Sequence, residues 1–435
     1  MAMELPPDIV RDIFKMFSMP VAICRPETFP WFLGQICSGW RNVFLSMTEH
    51  FWGDLVIDLS ADKKSFRFPF SVIYYERALE ILKICMDYSA GYPLSISLFM
   101  KRSYYAEEHI FVVDILDALI EQSIRWRKVH FHLQEAELQR LHRVKGHLPL
   151  LQSITLTRVY DPHFSSTPVK PVNERFADSF SDSPSLTHLH ISAITTWKFD
   201  WSSILVLKLL EPLMDTENLL TVLPRATRLE ELELGSVNLI MLGINTEIQS
   251  VVTLPSLKKL IFNGFSTMLS ALAAPNLVHL SLVSSGSSGG AGTSIVPFIR
   301  GSSCPLEHLQ LRCFKPAIVA EILPLFPSLI RLQLHSSMNL DGLITLLNCD
   351  LPGNETPRVP RLKSLEIFDL HGLHQELVAG LSAVVASRAE NPEVDRLQEL
   401  VVSTSGSHTD VDLMVLQMKC EEQGVKLTVT VSGCK

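Results

Sequence analysis

This sequence has little of what a membrane, secreted or nucleic-acid-binding protein needs. Charged residues make up 19% of the chain and the formal net charge is −8, whereas a nucleic-acid surface needs a concentration of Lys and Arg. No apolar run approaches the roughly 18 residues needed to span a bilayer. We therefore expect no nucleic acid and no membrane among the partners.

The cysteines also lack a pattern. Eight of them are scattered along the chain without the spacing of a disulfide framework or a zinc site. The first residues include Glu4 and Asp8 and contain no apolar core like that of a secretory signal peptide. The cysteines are therefore predicted to be reduced thiols in a protein of the cytoplasm, the nucleus or both.

Signatures of catalysis are missing as well. The run 284–294 is rich in Gly and Ser but lacks the Lys-Ser/Thr pair of a phosphate-binding loop, so a flexible linker is predicted there. A Gly-x-Ser-x-Gly elbow is absent, and nothing in the sequence combines a nucleophile with a general acid and base. We expect no catalytic residue and no cofactor; an enzyme would need a deep pocket of converging His, Cys or carboxylate groups.

Two histidine pairs come nearest to a metal site. His130 and His132 are two residues apart, as are His188 and His190, so each pair shares one face of a strand. Such pairs bind zinc when two more ligands converge. No Cys or carboxylate lies beside them at ligand spacing, and a strand near Leu151 should separate the pairs. A metal site is therefore not expected.

Apolar residues are in excess near the start of the chain. Pro6 and Pro7 suit the first turn of a helix, and the polar positions between Asp8 and Ser18 cover roughly a third of its circumference. A second apolar pattern at helical spacing follows, at Leu33, Ile36, Cys37, Trp40, Phe44 and Met47. Cys37 is expected to be a small buried side chain within that stripe. About 50 residues make only a marginal core, so the rest of the chain or a partner must cover this surface.

These residues resemble an F-box. The resemblance is carried by Leu5–Ile9 with Ile13 and Phe14, by Ile36–Arg41, and by Phe51–Leu55. It implies a three-helix module that docks on a Skp-type adaptor and so joins a cullin ubiquitin ligase. It also implies an adaptor interface at or near Leu5, Pro6, Ile9, Ile13, Ile36, Cys37 and Trp40.

The connection between the two helical patterns departs from that family. Residues 19–30 replace the usual acidic turn with a proline-broken apolar stretch. A divergent F-box with a loose repeat body is similar to the proteins of expanded fungal, mushroom-type families. A helical hairpin that caps the next domain, with no role in ubiquitination, stays the alternative interpretation.

The rest of the chain repeats a leucine pattern. The unit Leu-x-x-Leu-x-Leu recurs at steps from 18 residues (Leu186 to Ile204) to 35 residues (Leu151 to Leu186). The units begin at Leu151, Leu186, Ile204, Leu229, Leu257, Leu277, Leu306, Leu329, Leu362 and Leu397. The last two apolar positions of a unit share one face of a strand, and stacking the units makes one continuous core. The pattern predicts an irregular leucine-rich repeat with a curved parallel sheet.

The predicted fold is α+β, with a three-helix module at 1–55, a helical connector at 56–93 and the repeat solenoid at 94–435. Apolar periodicity predicts helices at 74–88 and 108–122 and strands at 94–98 and 129–133. Within the repeats, helices are predicted at 216–223, 317–323, 340–347, 376–388 and 410–423, and irregular insertions at 161–173 and 348–360.

The polar residues beside the middle leucine of each unit should point away from the core. They form a mixed row of imidazole, carboxylate, amide and cationic groups that suits protein recognition, although a merely solvated face would look the same. The predicted substrate surface consists of His188, His190, Glu231, Glu233, Lys259, His279, His308, Gln310, Arg331, Gln333, Glu366 and Glu399.

These patterns favour a non-enzymatic substrate receptor of a Skp–cullin–F-box ubiquitin ligase. The N-terminal helices would dock on the adaptor, the repeats would hold a protein substrate, and the chain would contribute proximity rather than chemistry. The alternative is a leucine-rich-repeat interaction scaffold with a helical N-terminal cap.

Overall fold

The computed structural model divides into two compact units, Met1–Val206 and Leu207–Lys435. It describes residues 5–16, 20–24, 31–47, 49–59, 70–100, 106–159, 177–192, 198–209, 216–235, 251–263, 267–284, 291–335, 344, 347–348, 359–370, 375–404 and 410–431. The domain boundaries predicted after residues 55 and 93 stay predictions.

The first unit is a parallel sheet with helices between its strands. Its helices are α1 (Pro7–Met16), α2 (Ser38–Leu45), α3 (Glu49–Trp52), α4 (Phe70–Tyr88), α5 (Ala106–Glu121) and α6 (Glu135–Arg140). Its strands are β1 (Val21–Ala22), β2 (Asp54–Asp58), β3 (Leu94–Phe99), β4 (Trp126–Leu133), β5 (Ser153–Arg158) and β6 (His188–Ile191). Each strand pairs with the next in chain order, and every pair is parallel.

The period-two pattern of β3 shows how this sheet is built. Leu94, Ile96 and Leu98 are buried, and the residues between them are half-buried on the other face. Leu82 of α4 and Leu119 of α5 are also buried, because each helix turns an apolar stripe inward. The helices predicted at 74–88 and 108–122 and the strands predicted at 94–98 and 129–133 are confirmed, with ends shifted by a few residues.

Strand β1 lies in the connection that departs from the F-box pattern. Val21 pairs with Leu55 of β2 in parallel register, and the backbone N–H of Ile23 donates to the Val56 carbonyl at 2.9 Å. Val21 and Ile23 are fully buried. Within the first unit, this segment is therefore an edge strand of the sheet rather than a loop.

The second unit continues the same pattern of strand, connection and strand. Its helices are α7 (Thr216–Val222), α8 (Ala291–Ser302), α9 (Pro316–Ile322), α10 (Gln375–Glu390) and α11 (Asp410–Glu422). Strand β7 (Val206–Leu209) contains the boundary, and the later strands are β8 (Glu231–Leu234), β9 (Val252–Thr253), β10 (Lys259–Asn263), β11 (Leu272–Ala273), β12 (His279–Val283), β13 (His308–Arg312), β14 (Arg331–His335), β15 (Ser364–Leu370), β16 (Glu399–Thr404) and β17 (Lys426–Val431). The parallel sheet runs β8-β10-β12-β13-β14-β15-β16-β17, while β9 and β11 form a separate parallel pair.

The middle leucines of the repeats form a ladder through the second unit. Each pairs in register with the middle leucine of the next strand. The ladder consists of Leu232, Leu260, Leu280, Leu309, Leu332, Leu365, Leu400 and Leu427. From Leu232 to Leu400 these side chains are at most 1% exposed. The predicted leucine-rich repeat is confirmed in this respect, because stacking places equivalent leucines against one another.

The segments between the strands agree with the sequence less closely. The predicted linker at 284–294 is wrong at its end, because α8 begins at Ala291. The helices predicted at 216–223, 317–323, 376–388 and 410–423 are present with shifted ends. The insertion at 161–173 lies outside the described residues, as do most of the helix predicted at 340–347 and of the insertion at 348–360. Of the helices in the described ranges, none combines the length and apolar character needed to cross a bilayer.

Candidate interaction surfaces

Helix α1 buries one apolar stripe and exposes another. Val10 and Phe14 are 2% and 0% exposed, whereas Ile9 is 48% exposed and Leu5, two residues before the helix, is 44% exposed. Asp8 and Arg11 form an ion pair on the polar face at 2.7 Å. The helix therefore contributes to its own unit's core and still presents large apolar side chains to solvent.

A chain of aromatic rings fixes the buried side of these helices. Phe14 contacts Trp40 edge-on at a centroid distance of 5.7 Å and Phe44 at 5.9 Å. Phe44 contacts Trp52 at 4.9 Å, and Trp52 stacks on Tyr88 of α4 at 5.1 Å. Aromatic pairs in this range add to the stability that burial provides. These contacts on the buried side therefore fix the orientation of α1 and α2.

Cys37 does not occupy the position predicted for it. The apolar pattern from Leu33 to Met47 is broken into a 3-10 turn, Trp31–Gln35, and helix α2. Cys37 is the N-cap of α2, and its Sγ accepts from the Trp40 backbone N–H at 3.5 Å. The prediction of a small buried side chain within a helical stripe is wrong, because the side chain is half-buried at a helix end.

The residues expected at an adaptor interface are divided between solvent and the interior. Leu5, Pro6, Ile9 and Ile36 are exposed, with Ile36 at 55%, and Ile13, Cys37 and Trp40 are half-buried. Leu5, Ile9, Ile13, Ile36 and Trp40 form what we call the N-terminal ledge. Helices α1 and α2, which carry most of it, pack against each other.

The second unit carries a row of polar side chains on one face of its sheet. These residues each lie one position before the middle leucine and pair in register from strand to strand. We call them the charged row: Glu231, Lys259, His279, His308, Arg331, Ser364, Glu399 and Lys426. The predicted surface residues of the second unit belong to this row or to the parallel row two positions on.

Ion pairs cross the strands at the start of the charged row. Lys208 of β7 lies 3.3 Å from Glu231 and 2.9 Å from Glu233, and Lys259 approaches the same Glu231 oxygen at 3.3 Å. The hydrogen bond to Glu233 raises the pKa of Lys208. Burial acts in the opposite direction, and the contact with Glu231 raises the pKa further. Sequence reasoning missed Lys208, although it has the alternating position that identified the other residues of this face.

Imidazole and amide groups occupy the centre of the face. His279 and His308 stack at a centroid distance of 5.8 Å. Gln310 accepts from the Ser281 hydroxyl at 3.0 Å and lies 2.9 Å from Nε2 of His335. Burial lowers the pKa of His279, and the nearby His308 and Lys259 lower it further.

Glu366 differs from the other predicted surface residues. It is only 9% exposed. The Gln333 side chain donates to its Oε2 at 2.7 Å, and Arg331 Nε lies 3.4 Å from its Oε1. Its carboxylate is thus satisfied within the sheet face, and the prediction of an open surface position is wrong. Glu399 is half-buried and pairs with Lys426 at 2.9 Å.

The histidine pairs of the first unit lie on β4 and β6, and β5 separates these two strands, as expected. Thr155 of β5 pairs with His130 on one side and with His190 on the other. Burial lowers the pKa of His130, and the nearby His190 and His132 lower it further. His188 is exposed. A group of three or more side chains able to hold a metal ion is not found in the described part of the chain.

A second exposed apolar group was not predicted. Met414, Val415 and Met418 of α11 are 59%, 44% and 59% exposed. Leu416 and Cys420 of the same helix are fully buried. The spacing of these residues in the sequence could have revealed two apolar stripes on the helix, but not which of them faces the core.

Comparison with known proteins adds little. No family model matches the chain, and no curated protein matches it. Among solved structures, the chain is similar to one described as the crystal structure of a TLR13-ssRNA13 complex, with 14% identity and a TM-score of 0.36 over 81% of this chain. The chain spans 50% of the length of that protein. Similarity at this level supports no conclusion about function.

Proposed function

We propose that this protein is the substrate receptor of a Skp–cullin–F-box ubiquitin ligase. The N-terminal ledge binds a Skp-type adaptor, which links the chain to cullin, and the sheet face of the repeats binds a protein substrate. The chain itself makes and breaks no bond. It raises the effective concentration of the substrate beside the ubiquitin-transfer machinery.

The observation that carries this proposal is the exposed apolar surface of the N-terminal ledge. Leu5, Ile9 and Ile36 are each more than 40% exposed at positions where the F-box resemblance implies adaptor contacts. Fully burying a side chain of this size is worth roughly 1.5–3 kcal/mol. Ile9 lies on α1, and Leu5 and Ile36 lie within two residues of the first residues of α1 and α2. Because aromatic contacts hold both helices in place, the three side chains form a preorganised hydrophobic interface.

The alternative is a leucine-rich-repeat scaffold whose N-terminal helices serve only as a cap. Two contacts support it: Trp52 stacks on Tyr88 of α4, and Val21 pairs with Leu55 of β2. Both join the N-terminal segment to the rest of the first unit. A cap of this kind does not need Ile9 and Ile36 in solvent, and their exposure favours the receptor.

Adaptor binding is the direct test. The full-length chain and its Ile9→Asp/Ile36→Asp variant are compared for capture of a purified Skp-type adaptor. Both substitutions fall on exposed side chains, so folding should be preserved, and we expect the affinity to fall by at least a hundredfold, because two central apolar anchors are replaced by charges.

The matched control is Met414→Asp/Met418→Asp, which introduces the same two charges on equally exposed apolar side chains of α11. This variant should bind the adaptor as the wild type does. Absence of binding by the wild type, or an equal loss in both variants, would rule out the receptor and leave the scaffold.

A further inference from the structure

The centre of the charged row places two imidazoles between two cations. Lys259 and Arg331 stand on β10 and β14, and His279 and His308 occupy the two strands between them in continuous register. Neighbouring strands are about 4.8 Å apart, so the four side chains cover about 14 Å. That length corresponds to roughly four residues of an extended peptide.

The carboxylates near this site are already occupied. Glu231 shares one oxygen between Lys208 and Lys259, and Glu366 is buried beneath its contacts with Gln333 and Arg331. Lys259 and Arg331 keep 38% and 45% of their side-chain surface exposed. Glu231 and Glu366, their ion-pair partners, keep only 22% and 12%. A partner therefore meets mainly the cationic side of these pairs and the imidazoles between them.

His279 stacks on His308, and its surroundings disfavour its protonated form. Burial is the largest effect that lowers the pKa of His279. Of the charged and titratable groups within two strands of it, His308, Lys259 and Arg331 lower the pKa further and Glu231 raises it. A negative charge placed over the stack would reverse that balance, because an opposite charge within about 4–6 Å stabilises the imidazolium.

We propose that an acidic, carboxylate-rich segment of a partner protein binds across Lys259, His279, His308 and Arg331, and that a proton is taken up on binding. This rests on the substrate-binding half of the proposed function and not on the adaptor half. It names the chemistry of the substrate: a short run of Asp or Glu side chains lying across the strands.

Other occupants fit this site less well. A basic segment would meet the more exposed Lys259 and Arg331, while Glu231 and Glu366 keep only 22% and 12% of their side-chain surface exposed. A nucleic acid would extend past the site toward Glu399, where its phosphates would meet a carboxylate. The chain as a whole also has a formal net charge of −8, which opposes binding of a polyanion. A short acidic peptide matches both the extent and the sign of the charge.

The test measures binding of labelled ten-residue peptides to the full-length protein by fluorescence anisotropy, without adaptor. A glutamate-rich peptide is compared with its lysine-rich counterpart at pH 7.5 and pH 6.0. We expect the glutamate peptide alone to bind. Its affinity should rise about three- to tenfold at the lower pH, since a one-unit increase of one imidazole pKa on binding is worth at most tenfold.

Four variants locate the binding and the proton. Lys259→Ala and Arg331→Ala should each weaken binding about two- to fivefold, as expected for a partly exposed ion pair. Lys426→Ala removes the same charge from the far end of the row, where its side chain is 73% exposed, and should have no effect. His279→Gln/His308→Gln should bind within about twofold of the wild type at pH 7.5 but lose the pH dependence.

The proposal is overturned if the lysine peptide binds as well as the glutamate peptide, or if Lys426→Ala weakens binding as much as Arg331→Ala. Unchanged pH dependence in the histidine variant would place the proton elsewhere and also refute it. Binding only of a phosphoserine peptide, or tighter binding of an oligonucleotide of equal charge, would refute the carboxylate assignment. None of these results depends on adaptor binding, so the two proposals fail separately.

Discussion

Arg388 shows how one residue can hold irregular backbone together inside a repeat protein. It is 1% exposed, and its Nη2 approaches the carbonyl oxygens of Val359, Pro360, Leu362 and Asp395 at 2.9, 3.1, 3.3 and 3.3 Å. These carbonyls belong to the segments before β15 and after α10. The Val359 and Pro360 carbonyls also accept the backbone N–H groups of Leu362 and Asp395. A buried carbonyl without a partner costs about 1–3 kcal/mol, so the guanidinium adds a donor where irregular backbone segments meet.

We predict that Arg388→Met lowers the free energy of unfolding by about 2–4 kcal/mol, because the carbonyls lose a donor and methionine supplies none. Urea denaturation monitored by circular dichroism measures the change. Arg225→Met, at an exposed arginine, is the control and should change stability by less than about 0.5 kcal/mol. Equal stability of the two variants would show that the carbonyls do not depend on Arg388.

Cys85 is a thiol whose chemistry is suppressed by its surroundings. The side chain is fully buried in α4, and this burial raises its pKa from 9.0 to about 12. Because the thiolate is the nucleophile, Cys85 should resist alkylation by iodoacetamide in the native protein at pH 8, while half-buried Cys37 reacts. Mass spectrometry of the labelled peptides distinguishes the two, and fast native labelling of Cys85 would contradict the burial.

The same pKa shift has a consequence for stability against pH. The thiol is neutral in the folded protein until about pH 12 but ionises near pH 9 once unfolded. Its contribution is therefore complete below pH 9 and is lost as the pH rises toward 12. Cys85→Ser or Cys85→Ala, compared with wild type between pH 8 and 11, should show a shallower loss of stability, and an identical slope would contradict this.

At the scale of elements, the edge strand β1 ties the N-terminal helices to the sheet. Ile23 is fully buried and donates its N–H to Val56 at 2.9 Å. In this way the described residues Val21, Ala22 and Ile23 pair with β2. The N-terminal ledge depends on this anchoring, since α1 and α2 flank the strand.

We predict that Ile23→Pro destabilises the protein by about 3 kcal/mol or more, because it removes both the donor and part of the buried side chain. Ile23→Val keeps the N–H and should cost only about 0.5–1.5 kcal/mol. Urea denaturation compares the two variants, and hydrogen exchange at β2 reports on the local pairing. A proline variant as stable as the valine variant would mean that β1 contributes no pairing energy.

At the scale of the whole molecule, stability should be distributed in nearest-neighbour terms along each stack of strands. Leu309 lies in the middle of the second unit, 1% exposed, and pairs with Leu280 and Leu332. Removing its side chain would leave a cavity in the ladder. Such a cavity weakens the adjacent repeats first, because no other repeat contacts it directly.

We therefore predict that Leu309→Ala lowers the free energy of unfolding of the second unit by about 2–5 kcal/mol. Hydrogen exchange should become faster in β12, β13 and β14 and stay unchanged in β3 and β4 of the first unit. Glu307→Ala, at a half-buried polar position before the same strand, serves as the control. Uniform loss of protection over both units would contradict the nearest-neighbour description.

Much of this architecture follows from the sequence alone. The Leu-x-x-Leu-x-Leu spacing places alternate residues of a strand on opposite faces, and this was enough to predict the strands that carry Leu260 and Leu309 and the outward direction of Lys259 and His279. The exposure of Ile9 and Ile36 was not determined in this way, since a wide apolar arc does not say which part of it is covered.

Only the tertiary structure decided how residues far apart in the chain are paired. The contact of Lys259 with Glu231 joins residues 28 positions apart, and the contact of Gln333 with Glu366 joins residues 33 positions apart. The buried state of Glu366 and the edge strand at Val21–Ala22 likewise depend on which segments become neighbours. Local periodicity sets the face on which a side chain lies, whereas its partner depends on the register between strands, which no single segment encodes.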